Sequence, residues 1–403
     1  MFLFLDKKQP CTDRNIDDPI ILHILSYTHD QLHHLVSKSL CKYAAGVQQN
    51  EPIRKCLPIS MLLKMNIFRE YIEVCFSSRF KSRICRISAK FGNLSALQLA
   101  RGNACPWDIY TSCFAARGGH LEVVQWARDQ NCPWGPMTCS SAAEAGRLDI
   151  LQWARDQGCP WDSKTCSSAA EGGHFAVLQW AKSQGCPWNS YTCAYAACKG
   201  HLEILQWARS HGCPWDSVTC SLAALEGQLA VLQWAREQGC PWDSDTCSSA
   251  AEGGHLAVLQ WARSQGCPWD HFTCSFAARS GHLEVLQWAR SHGCPWDKDT
   301  CSSAAWGGHL AVLQWAKSQG CPWNSNTCSS AAWGGQLEVL QWARSHGCPW
   351  DSETCASAAS GGHLEILQWA RDHGCPWNSY TSVSNPVQPP GSQVAIHPLA
   401  AAI

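Results

Sequence analysis

Tryptophan recurs in this chain at a fixed interval of 27 residues, in two parallel series. The first series consists of Trp107, Trp134, Trp161, Trp188, Trp215, Trp242, Trp269, Trp296, Trp323, Trp350 and Trp377. The second consists of Trp126, Trp153, Trp180, Trp207, Trp234, Trp261, Trp288, Trp315, Trp342 and Trp369. They mark ten full copies of a 27-residue unit from Asp108 to Trp377, without insertion or deletion. Because a fixed period of about 20–50 residues is the signature of stacked supersecondary units, the sequence predicts a repeat architecture.

Each copy has the pattern of two short helices joined by a glycine turn, as residues 243–269 illustrate. Asp243 is a good N-cap for a first helix over residues 244–251. Gly253-Gly254 ends that helix, because glycine supplies the left-handed backbone of a helix C-terminus. A second helix begins at His255 and has a wide apolar face. Helices this short are marginal alone in water, so we predict an all-α solenoid whose copies share a core of Trp, Leu, Val and Cys.

Charge and hydropathy narrow the classes of function. The net charge of −1 gives no general attraction to nucleic acids or anionic membranes. No run of 18 apolar residues occurs in the sequence. The apolar stretch at its start is too short for a secretory signal. We therefore expect a soluble intracellular protein that is located in the cytoplasm, with the nucleus as a second possible location.

Nineteen of the 27 cysteines lie at two fixed positions of the ten copies, with spacings that alternate between seven and twenty residues. Zinc sites usually place two ligands on one tight CxxC turn, and no CxxC occurs in this sequence. Disulfides are rare in the reducing cytosol. We interpret these cysteines as small buried hydrophobes and expect neither metal nor cofactor, with a metal-binding or disulfide array as the alternative.

The second half of the copy resembles the second helix of ankyrin repeats. The carrying segments are GGHLAVLQWAKSQG at Gly307–Gly320 and, ahead of it, TCSSAA at Thr300–Ala305, which is similar to the ankyrin TPLHxAA segment. Ankyrin repeats run 33 residues, so these copies resemble the shortened ankyrin repeats of protists and giant viruses. The missing residues fall where ankyrin repeats form a β-hairpin, and we expect those projecting fingers to be lost or reduced. The resemblance implies protein–protein recognition through a concave face.

Comparison among the ten copies singles out the third, seventh and tenth positions as the most variable. Their spacing places them on one face of the first helix. Several copies carry aromatic or aliphatic pairs there, where other copies carry Ser and Asp, and such pairs are typical of anchors on a recognition surface. The alternative is neutral drift at solvent positions, with the aromatic pairs packed on each other. The candidate partner-binding residues are Tyr110, Phe114, Tyr191, Tyr195, Val218, Leu222, Phe272, Phe276, Trp306 and Trp333.

Two polar rows have alternative interpretations. Histidine recurs at the thirteenth position, but Arg147, Gln228 and Gln336 interrupt the row. This favours a hydrogen-bonding role at the helix start over catalysis or metal binding. Arg or Lys at position 21, from Arg128 to Arg371, could form a stripe that binds a nucleic-acid backbone. The near-zero net charge and the interleaved Glu favour a solvated convex face instead.

Residues 19–44 are rich in apolar residues at helical spacing and resemble an F-box. The closest pieces are HILSY at His23–Tyr27 and LVSKSL at Leu35–Leu40. Thr28 departs from the F-box pattern, in which an apolar residue is common, and so does the absence of a following Trp. The resemblance implies docking to a ubiquitin-ligase adaptor; the alternative is extra helices that cap the first copy. The candidate adaptor-binding residues are Ile20, Ile21, Ile24, Leu25, Leu32, Leu35 and Val36.

These observations divide the chain into five segments. They are an N-terminal arm (1–15), F-box-like or capping helices (16–55), linking helices (56–82), the ankyrin-like array (83–377) and a disordered tail (378–403). No convergent nucleophile, acid and base are recognisable, so we expect no enzyme. We predict a module that binds a protein partner on the concave face. The alternatives are an F-box-type substrate receptor of a cullin-ring ubiquitin ligase and, less favoured, a nucleic-acid-binding solenoid.

Overall fold

A computed structural model of the chain describes residues 78–377, which form 22 α-helices and no β-strand. The helices are α1 Ser78–Lys90, α2 Leu94–Gly102, α3 Ile109–Gly118, α4 Leu121–Asp129, α5 Pro136–Glu144, α6 Leu148–Asp156, α7 Ser163–Glu171, α8 Phe175–Ser183, α9 Ser190–Cys198, α10 Leu202–Ser210, α11 Ser217–Leu225, α12 Leu229–Glu237, α13 Ser244–Glu252, α14 Leu256–Ser264, α15 His271–Arg279, α16 Leu283–Ser291, α17 Lys298–Gly307, α18 Leu310–Ser318, α19 Ser325–Trp333, α20 Leu337–Ser345, α21 Ser352–Ser360 and α22 Leu364–Asp372. This architecture confirms the predicted all-α solenoid.

Several predicted segments lie outside the described residues. These are the N-terminal arm (1–15), the F-box-like or capping segment (16–55) with all its candidate adaptor-binding residues, and the tail (378–403). Of the predicted linking helices (56–82), only the part from Ser78 onward is described, as the start of α1. None of the helices in the described range is long and apolar enough to cross a membrane.

The chain divides into two compact units, Met1–Thr192 and Cys193–Ile403. In the described part of the first unit, the first helices α1, α3, α5 and α7 pack side by side. In the second unit, α11, α13, α15, α17, α19 and α21 do the same. Each second helix packs on its own first helix, and second helices of successive copies barely touch. Small residues on the first helices permit this close approach, because Ala, Ser and Thr let two backbones lie near each other.

The ends of each helix follow the capping signals in the sequence. The Asp243 carboxylate accepts a hydrogen bond from the Asp245 backbone N–H at 3.1 Å, as expected of an N-cap. α13 then ends at Glu252, and Gly254 adopts a left-handed φ of +76° whereas Gly253 stays right-handed. The second glycine of the pair therefore makes the turn. It directs the chain into α14 with His255 at the helix start.

The core lies between the two helices of each copy and between neighbouring first helices. In α13 the buried residues include Cys247, Ala250 and Ala251, and in α14 they include Val258 and Leu259. The same positions are buried in the other described copies except at Ala359, with Cys85, Ala89 and Leu97 as counterparts ahead of the first full copy. The predicted participation of Leu, Val and Cys in a continuous core is confirmed, and small residues supply much of it.

The tryptophans, also expected in the core, are instead only partly buried at its edge. Trp242 meets Trp261 in an edge-to-face contact with ring centroids 5.9 Å apart. The guanidinium carbon of Arg236 lies 4.0 Å from the Trp242 ring centroid. The Arg236 Nη1 also donates to the carbonyl of Cys240. An indole between a second ring and a cation is stabilised where it lies, which explains why tryptophan recurs without entering the interior.

The described cysteines are buried, which supports their interpretation as small core residues. Cys267 Sγ donates to the Asp243 carbonyl at 3.4 Å and so closes its copy onto the start of the first helix. Burial raises the pKa of Cys85 from an ordinary 9.0 to about 12. Burial also raises the pKa of Cys132. These thiols are therefore held in the protonated form, which is neither the nucleophilic nor the metal-binding form.

Candidate recognition surface

The variable third, seventh and tenth positions lie on the face of the first helix that points away from the core, and only Cys198 and Leu222 among their described residues are buried. In α15, Thr273, Cys274 and Ala277 are buried. Phe272 and Phe276 on the same helix stay partly exposed. The fixed positions thus form the inner side of the helix, and the variable positions form a surface that we call the variable face.

Aromatic pairs on this face pack against each other as well as facing solvent. The rings of Phe272 and Phe276 stack with centroids 5.9 Å apart and an interplanar angle of 30°. The His271 ring lies 4.2 Å from the Phe272 ring. Mutual packing, which the sequence left as the alternative explanation, therefore occurs at this pair. A stacked pair that stays partly exposed is also compatible with a contact surface.

One candidate pair lies in a hydrophobic cluster of its own. Leu222 is buried among Ala194 and Cys198, and Tyr195 and Val218 pack against this cluster from the partly exposed side. Leu222 therefore acts as a support, and its neighbours Tyr195 and Val218 are what this part of the face can present. The cluster forms because Ala194 and Cys198 are small enough to admit a leucine from the next first helix.

Candidates in the first unit have different surroundings. The Arg86 guanidinium carbon lies 4.8 Å from the Tyr110 ring centroid, and Arg86 also pairs with the Asp108 carboxylate. Phe114 is partly buried, whereas Tyr191 is 40% exposed. Tyr110 is thus partly covered by a cation of its own chain, and Tyr191 is the more accessible candidate in this unit.

Residues at the tenth position contact their counterparts one copy further along. Arg117 pairs with Glu144 at 2.6 Å between Nη2 and Oε1. The guanidinium carbon of Arg279 lies 4.4 Å from the Trp306 ring centroid. The Trp306 side chain is 39% exposed, and Trp333, its counterpart in the next copy, is 50% exposed. These contacts define a row, here called the tenth-position ladder, in which neighbouring copies touch through their side chains.

The histidine row connects successive copies. His282 Nε2 lies 3.1 Å from the carbonyl oxygen of Glu252, the last residue of the preceding first helix. His282 caps no backbone N–H of its own helix. The predicted hydrogen bond at the helix start therefore exists, but it joins two copies. In the described part of the chain no group of three or more His, Cys, Asp or Glu could hold a metal ion.

Basic residues at position 21 stack on tryptophan all along the described array. Arg155 lies 4.1 Å from the Trp161 ring centroid, and the Lys182 ammonium lies 4.1 Å from the Trp188 ring centroid. Arg290 Nη1 also donates to the carbonyl of Cys294 at 2.6 Å. Sequence reasoning missed this contact, although the constant spacing of six residues between the cation and Trp was visible. The row interpreted as a possible phosphate-binding stripe thus has intramolecular partners.

Comparisons with known proteins name no family for this chain. No protein-family model matches it, and no curated protein matches it. Among solved structures, the human ASB11 ankyrin repeat domain is similar at 15% identity, covering 39% of this chain and 84% of that chain with a TM-score of 0.32. The pentatricopeptide repeat protein PPR10 in complex with an 18-nt psaJ RNA element is similar at 15% identity, covering 91% of this chain and 64% of that chain with a TM-score of 0.35. Both are repeat proteins, and neither similarity assigns the chain to a family.

Proposed function

We propose that this chain is a non-catalytic binding module that holds a protein partner on the variable face, the concave side in an ankyrin-like arrangement. The observation that carries the proposal is the coincidence of two patterns. The positions that vary among otherwise uniform copies are the positions that the first helices turn outward, except at the buried Cys198 and Leu222. Variation confined to one outward face is typical of repeat proteins that use a constant scaffold and a variable contact surface.

Helix packing supports the concave side as the binding side. Within each unit, successive first helices lie in close contact and successive second helices barely touch. Helices that approach more closely lie on the inner side of a curved stack. The variable face belongs to these closely packed first helices, so its side chains from several copies can contact one ligand together.

The chemistry of the exposed side chains fits a protein ligand. Tyr191, Trp306 and Trp333 are each at least 39% exposed, an unusual state for large aromatic side chains. Tyrosine and tryptophan supply large contact areas at low conformational cost and are enriched at binding hot spots. These side chains project from helices, whose backbone restricts their conformations more than a loop would.

The proposal is tested by affinity capture with the purified full chain and identification of the bound proteins by mass spectrometry. The test variant carries Tyr191→Asp, Tyr195→Ser, Phe272→Asp and Phe276→Ser, because Asp and Ser occupy these positions in other copies. The control variant is Gln260→Ala, on the exposed side of α14. We expect the wild-type chain and the control to capture the same protein and the test variant to lose it, with unchanged helical circular dichroism. Equal capture by all three would contradict the proposal.

The F-box resemblance favours a second candidate, a substrate receptor that brings the bound protein to a cullin-ring ubiquitin ligase. It rests on the HILSY and LVSKSL segments, which lie outside the described residues. A binding assay with the purified ligase adaptor, using the full chain and a chain lacking residues 15–55, tests it. Adaptor binding by the full chain alone would support the receptor function, and absence of binding by both would exclude it.

The nucleic-acid alternative receives less support. Its basic row at position 21 is stacked on tryptophans, as Arg263 is on Trp269 at 4.0 Å. A guanidinium that must leave an aromatic ring and a carbonyl partner to reach a phosphate gains less from that contact. Filter binding of RNA and DNA at low and moderate salt tests this directly. We expect no retention at moderate salt.

A further inference from the structure

We propose that Trp333, the counterpart of Trp306 in the next copy, forms a site for an arginine side chain of the partner protein. This inference rests on the proposed function, because both tryptophans belong to the variable face. It adds the chemistry of the partner: an extended segment that carries arginine. Both residues occupy the tenth position, in successive copies of the second unit.

The first step is the geometry of the tenth-position ladder. Arg117 reaches Glu144 in the next copy, and Arg279 reaches Trp306 in the next copy. A side chain at this position thus lies within reach of its counterpart 27 residues later. Trp333 has Trp306 as its counterpart on one side and Ser360 on the other. Neither counterpart of Trp333 in the tenth-position ladder is a cation.

The tenth-position ladder already contains one guanidinium that lies over an indole ring. The Arg279 guanidinium carbon lies 4.4 Å from the Trp306 ring centroid, within the distance at which a cation is attracted to an aromatic face. Trp333 presents the same ring at the same helical position and is 50% exposed. A guanidinium from outside can thus repeat at Trp333 the contact that Arg279 makes at Trp306.

The third step is the electrostatic setting of the Trp333 ring. Trp333 is the last residue of α19, where the helix dipole leaves partial negative charge on the carbonyl groups, and its own carbonyl oxygen lies 3.0 Å from His363 Nε2. Ser360, its counterpart in the next copy, is exposed and small, so it leaves room beside the indole. An aromatic face next to a helix C-terminus favours a cation over an anion or a neutral group.

The fourth step is the charge of the variable face over the last five copies, residues 243–377. Its third, seventh and tenth positions carry four carboxylates and one guanidinium. They are Asp245, Glu252, Asp299, Glu353 and Arg279. Lys298 adds one cation at a neighbouring second position. Burial and the nearby Asp243 and Asp270 carboxylates raise the pKa of Asp245, as expected of a locally anionic surface. The face is complementary to a basic segment.

Arginine fits this site better than lysine. The planar guanidinium stacks on an aromatic ring and is more weakly hydrated than an ammonium, so it loses less on leaving water. A partner segment could place one arginine on Trp333 and a second basic residue near Asp299 or Glu353. Both carboxylates are at the third position of helices next to α19, about 10 Å along the helix axis from the tenth position and about 10 Å to the side, within reach of an extended segment.

The test uses fluorescence anisotropy with the full chain and a short fluorescein-labelled glycine–serine peptide that carries two arginines. Matched peptides carry lysine or citrulline, the second having the arginine shape without its charge. We expect saturable binding of the arginine peptide, weaker binding of the lysine peptide and none of the citrulline peptide. Equal binding of the arginine and citrulline peptides, or no binding of any, would overturn the proposal.

Three variants locate the site. Trp333→Ser introduces the residue that the next copy carries at Ser360, and it should weaken arginine-peptide binding about tenfold, as expected for the loss of a cation–π contact. Arg279→Gln should uncover Trp306 and strengthen binding. Gln260→Ala, on a second helix, should change nothing. If Trp333→Ser binds as the wild type does, while Asp299→Asn and Glu353→Gln together abolish binding, the attraction comes from the carboxylates alone and the inference fails.

The two proposals can fail separately. Capture of a partner through the variable face, with no binding of the arginine peptide, would leave the proposed function intact and remove the arginine site. Binding of the peptide at Trp333, with no protein captured through the variable face, would support the arginine site and contradict the proposed function. Circular dichroism and thermal unfolding of each variant confirm that it is folded.

Discussion

The guanidinium carbon of Arg263 lies 4.0 Å from the ring centroid of Trp269, six residues later in the chain. Between them, the carbonyl of Cys267 accepts a hydrogen bond from Arg263 Nη1. One side chain thus connects the end of α14 to the turn that leads into the next copy. Lys182 and Lys317 take the same place over Trp188 and Trp323, each at 4.1 Å.

Replacing Arg263 by Gln should lower the free energy of unfolding by about 1–2 kcal/mol, because it removes both the cation–π contact and a charge-assisted hydrogen bond. Arg263→Lys is the matched control and should stay within about 0.5 kcal/mol, since lysine keeps the cation over the ring. Urea unfolding followed by circular dichroism measures both. Equal losses in the two variants would mean that the guanidinium hydrogen bond to the Cys267 carbonyl, and not the cation over the ring, stabilises this turn.

A pair of glycines separates backbone strain from packing between copies. Gly254 and Gly266 have nearly the same left-handed φ, +76° and +79°. A Cβ at Gly254 would lie 2.5 Å from the His282 ring, whereas a Cβ at Gly266 would meet nothing within 4 Å. Gly266→Ala should therefore cost about 1–2 kcal/mol, the strain of a left-handed alanine. Gly254→Ala should cost clearly more, and equal urea midpoints would argue against the histidine contact.

The N-cap of α13 gives a third prediction. Asp243→Ala should destabilise the protein by about 1 kcal/mol, because the Asp245 backbone N–H loses its acceptor. Asp243→Asn should be close to neutral, since Asn324 makes the same bond to the Asn326 backbone N–H at 3.1 Å. Thermal unfolding of the two variants and the wild type measures this. A loss with Asn as large as with Ala would mean that the charge, and not the cap geometry, matters.

Burial of the thiols should make the free energy of unfolding depend on pH. The pKa of Cys85 is about 12 in the folded protein against an ordinary 9.0, because burial disfavours the thiolate. The unfolded chain therefore loses its proton first. The stabilisation is complete below about pH 9 and is lost as the pH rises towards 12. We expect a falling unfolding midpoint between pH 8 and about pH 10, with a smaller fall in Cys85→Ala.

Thiol reactivity checks the same property independently. In reducing-agent-free buffer at about pH 8, a disulfide-type thiol reagent should leave the described cysteines unmodified in the native protein and modify them after guanidinium unfolding. Rapid modification of Cys85 in the native state, detected by peptide mapping, would contradict its burial.

The sequence by itself determined the period, the helices and their ends, because these depend on interactions between near neighbours. Asp243 caps its helix and Gly254 ends it through contacts within a few residues, so both roles were predictable. The outward direction of Phe272 and Phe276 was predictable too, since helical periodicity fixes which residues share a face. That these side chains bind a partner stays a prediction.

The tertiary structure decided what happens between copies. Trp242 lies at the edge of the core beside Arg236, His282 reaches the Glu252 carbonyl of the preceding copy, and Leu222 is buried against Ala194 and Cys198. Each of these depends on how closely two first helices approach, and that distance follows from the packing of small side chains across copies. The distance between first helices cannot be predicted from rules that consider only neighbouring residues in the sequence. The 27-residue period therefore determined the repeating unit, and the stacking of the units decided which side chains remain exposed for a partner.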